Sequence, residues 1–213
     1  MTKTAHGTIF AVPLPDGTFI CGRVVMDIYA CLKRRLLPAD SPLPSLGKAL
    51  LVEMYSSISH TPIYLPSTKL ICGAFVESDE LGEMWQIIGH SPIDPRNVEF
   101  PETIIGYMHP NGDGKFECGE IAVKLPLPDD SANRIGEFKK RHSAFLWAYT
   151  CLRAMGRGDE VPKGYEGATL AGSDLRNSPH LKAIYENLPF PMEMSYYEKQ
   201  KSMGFDLDRL YST

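Results

Sequence analysis

The chain lacks nearly every short signature that would announce a chemistry. It has no Gly-x-Ser-x-Gly elbow, no Gly-x-x-x-x-Gly-Lys phosphate loop and no dinucleotide fingerprint, which excludes the local motifs of serine hydrolases, nucleoside triphosphatases and dehydrogenases. Cysteine is scarce. Cys21, Cys31, Cys72, Cys118 and Cys151 are odd in number and widely scattered, with no Cys-x-x-Cys pair and no Cys/His cluster at zinc spacing. Reduced thiols are therefore expected, and no metal. Three of them precede glycine inside strand-like runs, where Cys serves as a small apolar filler. No apolar run approaches the length of a membrane span, and Met1 to His6 shows no basic region followed by an apolar stretch. The expectation is a cytoplasmic protein with no cofactor and no membrane contact.

Neither sign of charge dominates. The 22 Lys and Arg oppose 26 Asp and Glu, a formal net charge of −4, which argues against a phosphate-tracking surface and is compatible either with a basic partner or with the mildly acidic balance of an ordinary cytosolic protein. Hydrophobic residues make up 43% and charged residues 23% of the chain, values that exclude wholesale disorder. At 213 residues the chain can bury about 70% of its unfolded surface, in one large domain or a main domain with a helical appendage.

What is present is strand pattern followed by helix pattern. Two β-rich runs, about Thr8 to Leu14 and Thr18 to Tyr29, flank a Pro15-Asp16-Gly17 turn that supplies the positive φ a tight hairpin needs. Pro38 to Ser45 holds three prolines and reads as a loop. Ala49 to Tyr55 suits a strand buried on both faces, and Lys69 to Phe75 and Met84 to His90 read as two more. A second hairpin is expected from Thr103 to Met108 and Lys115 to Leu125, around the Asn-Gly and Asp-Gly pairs between His109 and Gly114. After Asp130 or Ser131, either of which can cap a helix, the period changes. Ile135, Phe138, His142, Phe145, Tyr149 and Leu152 form one helical face that ends at Gly156. Short helical pieces follow near Pro179 to Asn187 and Ser195 to Met203, with a last turn at Asp206 to Tyr211.

These elements amount to an α+β protein: a strongly bent antiparallel β-sheet, partly barrel-like, in the N-terminal part, with helices packed on it from the C-terminal third. The expected division is a β-rich domain over 1–156 that ends in the long helix, and a helical and loop extension over 157–213 packed on it.

Candidate chemistry is thin. His60, His90 and His109 stand in no recognisable frame, and His142 lies on the apolar helix face. Ser143 and Cys151 share that helix with His142, but neither spacing puts nucleophile and base side by side. Asn111 to Glu120 imitates a calcium loop without its acidic ladder or its Glu in the twelfth position. Acidic residues gather at Glu77, Asp79, Glu80 and Glu83, and again at Glu99, Glu102, Asp129 and Asp130. Such groups either solvate loops or steer a basic partner. Trp85 and Tyr64 can add aromatic anchors beside them, although Trp85 in an apolar strand also suits the core.

The Gly7 to Val25 hairpin, together with Met84-Trp-Gln-Ile-Ile-Gly-His-Ser-Pro92 and Phe100-Pro101-Glu102, resembles the immunity protein 26 family of bacterial polymorphic-toxin systems over roughly the first half of the chain. The resemblance implies an antitoxin of bacterial competition, type VI secretion among its settings. Such a protein binds the C-terminal domain of a cognate secreted toxin and occludes its active or target-docking site without catalysis. The toxin-binding residues expected on that basis are Glu77, Asp79, Glu80, Glu83, Trp85, Glu99, Glu102, Asp129 and Asp130, with no nucleic acid bound and the free protein a monomer or weak dimer. The alternative is an enzyme, for instance a hydrolase reversing a toxin-made modification, whose site is assembled from distant residues. A nucleic-acid module using Lys33, Arg34, Arg35 and Lys139 to Arg141 lacks the aromatic interleaving it would need.

Overall fold

The first hairpin forms as its residue types require. Gly17 takes a φ of 82°, and Asp16 accepts hydrogen bonds from the backbone N–H and the hydroxyl of Thr18 at 2.9 and 2.6 Å. These bonds hold the Asp16 carboxyl down at about 2. The turn joins β1 (Thr8–Pro13) to β2 (Phe19–Asp27). β2 stops short of Tyr29 because the Asp27 carboxylate accepts from the N–H of Ala30, 2.9 Å away, and so caps α1 (Ile28–Lys33).

The computed structural model describes residues 6–65, 67–81, 84–105, 113–126 and 142–211. β3 (Ala49–Ser59), β4 (Lys69–Glu77) and β5 (Gln86–His90) complete a five-stranded antiparallel sheet in the order β4-β3-β2-β1-β5. β4 and β5 stand at opposite edges, so the sheet is open and the partly barrel-like expectation is corrected. Closure would require the two edges to meet with a matching stagger. Here β5 instead reaches the free side of β1 and pairs Thr8 with His90 and Ala11 with Gln86. Between Ile9↔Gly89 and Phe10↔Ile87 the register shifts, which leaves Ile88 as an extra residue in a β-bulge.

A separate sheet, β6 (Glu102–Ile105), β7 (Asp113–Cys118) and β8 (Ile121–Pro126), runs antiparallel in the order β6-β7-β8. The single strand expected from Lys115 to Leu125 is thus two. Cys118 pairs with Ile121 across Gly119 and Glu120, and Gly119 has a φ of 58°. Glycine at the first central position is the pattern of a type II′ hairpin turn. A side chain there would also collide with the Tyr196 hydroxyl. Most of the turn expected between His109 and Gly114 lies outside the described residues.

The helix expected to run from Ser131 with His142 on its apolar face begins instead at Ala144: Ser143 is the N-cap of α2 (Ala144–Ala154), His142 lies before it in a bridge to Val76, and Gly156 stands just past the C-cap. Ile135 and Phe138 fall outside the described residues. α3 (Leu170–Ser173), α4 (Leu181–Tyr185) and α5 (Tyr196–Ser202) follow, the last opened by a capping box of Ser195 and Glu198. The chain is α+β with antiparallel sheets, as expected.

Strand alternation sorts the core into layers. Phe10, Val12, Ile20, Val24, Val52 and Met54 line one face of the five-stranded sheet, under Trp147, Ala148, Cys151 and Leu152 of α2. On the other face, Met26, Leu51 and Phe75 meet Phe116 and Ile121 of the small sheet, together with Ile184, Tyr196 and Leu210. Ala11, Cys21 and Tyr55 form a third, smaller patch beneath Phe19, Tyr64 and Ile88.

Candidate functional site

The acidic residues singled out in the sequence go to different places. Glu77 and Asp79 are exposed at the end of β4, and Asp79 lies 3.5 Å from Lys48 in an open ion pair. Glu80, in the same turn, faces inward. Its carboxylate accepts from the Ser143 hydroxyl at 3.1 Å and from the Ala144 N–H at 2.9 Å, which places a negative charge on the N-terminus of α2. Glu83, Asp129 and Asp130 lie outside the described residues. Trp85 is only 2% exposed and packs on Phe10 with ring centres 4.5 Å apart, so it belongs to the core in this conformation. Tyr64 sits edge-on against Tyr55 at 5.5 Å.

Glu99 and Glu102 are brought together, but beneath the C-terminal segment. Arg176 reaches Glu99 at 2.9 Å and Asp174 at 2.5 Å, and the Tyr196 N–H donates to Glu99 at 3.2 Å. Burial pushes the Glu99 carboxyl up, against the opposing pull of Arg176. Glu102 is 1% exposed. One of its oxygens lies 2.7 Å from the Lys199 ammonium and accepts from the Tyr185 hydroxyl at 2.5 Å. Lys199 also donates to that hydroxyl, at 2.6 Å. Burial first, and then the Glu102 charge, drives the Tyr185 hydroxyl far above its ordinary value.

Sequence reasoning missed two further buried carboxylates. Glu53 accepts from Arg23 at 2.8 Å and from the Tyr55 hydroxyl, and pairs with Lys69 at 2.7 Å. Glu120 is paired with Arg209 and accepts from the Gln200 amide. No signal was present for Glu120, which sits in a turn beside Gly119, but one was for Glu53, an isolated acid inside the apolar strand run Leu51-Val-Glu-Met54. A charge in such a position needs a buried partner. In three of these pairs the carboxylate comes from residues 99–120 and the cation from the C-terminal segment: Glu99 with Arg176, Glu102 with Lys199 and Glu120 with Arg209. Each of these acids meets a cation within the chain, and each pair ties the C-terminal segment to the strands and loops of residues 99–120.

The thiols are equally committed. Burial raises Cys21 and Cys31 to about 11 and pushes Cys72, Cys118 and Cys151 up as well, which keeps them protonated near neutrality. Among the described residues no group of three His, Cys, Asp or Glu is placed to hold a metal ion, and no helix is long and apolar enough to cross a membrane.

No curated protein and no solved structure matches the chain. The family comparison agrees with the resemblance read from the sequence. Residues 5–108, which carry the five-stranded sheet and β6, match the model of the Immunity protein 26 family, and that match supports an immunity-protein role.

Proposed function

We propose that the chain is a non-catalytic immunity protein of the cytoplasm that binds the C-terminal domain of a cognate secreted toxin and covers its active or target-docking face. The family match over residues 5–108 carries this reading. A specific complex of this kind buries about 1,600 Å² in total. Glu77 and Asp79, exposed at one end of the sheet, are the acids we assign to a basic toxin surface, and Glu83, Asp129 and Asp130, which lie outside the described residues, are further toxin-binding candidates. Glu80, Trp85, Glu99 and Glu102 serve it from inside by fixing α2, the core and the C-terminal segment. Residues 157–213 act as an extension packed on the immunity domain, and the free protein is a monomer or weak dimer.

The test is co-purification of the tagged chain with the C-terminal domain of the large secreted protein encoded beside it, followed by rescue of cells that express that domain. A tight complex with rescue is expected. Replacing Glu77 and Asp79 by Lys should then slow association and weaken the complex about tenfold at low salt. No complex and no rescue would sink the reading.

A further inference from the structure

Among the described residues Arg35 is the one residue other than glycine with a positive φ, 57°. It stands where α1 ends. Its N–H donates to Leu32 O at 3.0 Å and the N–H of Leu36 to Cys31 O at 3.1 Å, the Schellman pair that glycine usually serves because a side chain is disfavoured in this conformation. Arg in that place is unexplained by the turn itself. Its side chain is exposed and makes no hydrogen bond or ion pair with the described residues. Lys33, in the same turn, rests its ammonium 4.4 Å from the centre of the Tyr29 ring.

Beside Arg35 an open cleft of about 390 Å³ runs between the end of α1 and the C-terminal segment, lined by Leu36, Leu37, Pro38, Phe205 and Arg209. The first four give it a half-buried apolar floor. Arg209 is spent on the walls, since its nitrogens go to Leu36 O, Asp206 O and Glu120. Among the described residues Arg35 is therefore the unengaged cation over an apolar floor, in a cleft within the size range of binding sites.

We propose that this cleft docks an acidic segment of the partner toxin, with an apolar side chain in the floor and a neighbouring Asp or Glu on the Arg35 guanidinium; the assignment rests on the immunity reading above. Charge complementarity to Arg35 selects the acid, and the apolar floor takes a side chain of a polypeptide. A nucleic-acid strand wants several stacked aromatics and a row of unpaired cations, whereas this cleft offers a single ring, Phe205, and its Arg209 is held by Glu120. The site is also well placed. Asp27, at the start of α1, pairs with Leu50, and Glu77 pairs with Ala49. The α1 ledge and the Glu77 rim thus share one end of the five-stranded sheet, and one partner can span both.

Arg35→Gly relieves the backbone and removes the cation. It should raise the melting temperature while weakening the complex with the co-purified toxin domain about tenfold, with Arg35→Lys closer to wild type. If toxin binds wild type and Arg35→Gly equally, the cleft is wrong and the immunity reading stands. If wild type binds no toxin, the immunity reading fails, and a second probe still decides the cleft. That probe is a short fluorescein-labelled peptide with one Leu between Asp and Glu residues, followed by anisotropy. Salt-sensitive binding that Arg35→Gly abolishes supports the assignment. No peptide binding overturns it, and displacement of the peptide by a single-stranded oligonucleotide overturns it in favour of phosphate.

Discussion

Lys199 reaches Glu102 across 97 residues of sequence, and both side chains are cut off from water, at 3% and 1% exposed. A buried pair of this kind costs desolvation on both sides and stabilises little over a well-packed apolar pair, but losing one partner is expensive. Lys199→Met should therefore destabilise the protein by about 3–5 kcal/mol, because Glu102 keeps a charge with only the Tyr185 hydroxyl to meet it. Urea unfolding at neutral pH measures this. Adding Glu102→Gln to that variant should recover much of the loss, and failure to recover it would mean that Lys199 acts through its contact with the Tyr185 and Phe190 rings.

The same distances explain what the sequence could and could not tell. An acid's identity is local, but its partner is not: Arg176 lies 77 residues from Glu99, and no pattern in either neighbourhood names the other. Glu99 and Glu102 therefore read as a surface rim, whereas Glu102 is buried and Glu99 half-buried beneath the C-terminal segment. The first hairpin was legible because Asp16 and Gly17 decide it by themselves. The break at Gly119 was not, because Cys-Gly occurs three times in strand-like runs and only the packing of Tyr196 distinguishes the one that turns.

At the scale of elements, α2 is anchored by a carboxylate borrowed from the link between β4 and β5. Glu80 serves two donors at the helix start, in addition to the Ser143 cap, whose hydroxyl accepts from the Phe145 N–H at 3.4 Å. Glu80→Ala should cost about 1 kcal/mol, the usual worth of a cap with its charge, whereas Glu77→Ala at an exposed position should stay within about 0.5 kcal/mol. Thermal melts of the two variants side by side check this. They also guard the interface mapping, because a Glu80 variant that loses affinity can do so by loosening α2, which carries Trp147 onto the sheet, where its indole donates to Phe75 O at 3.1 Å.

For the molecule as a whole, the family match ends at residue 108 but the core does not. The cluster that joins the two sheets draws Leu175, Ile184, Tyr196, Leu207 and Leu210 from beyond the matched region. A chain ending at Gly156 would uncover Phe100, Phe116 and Ile121 and strand Glu99, Glu102 and Glu120 without Arg176, Lys199 and Arg209. It is expected to lose cooperative unfolding and to bind a hydrophobic dye, as near-ultraviolet circular dichroism and dye fluorescence would report. A sharp, cooperative melt from that fragment would instead show that the C-terminal segment is dispensable to the fold.

The bulge at Ile88 has its own outcome at high concentration. β5 is bonded to β1 on one side, and among the described residues no strand lies along its other side, a condition that invites neighbouring molecules to add strand upon strand. The extra residue puts that rim out of step with a straight strand laid against it. That one surplus isoleucine is thus a local obstacle to strand addition along the β5 edge.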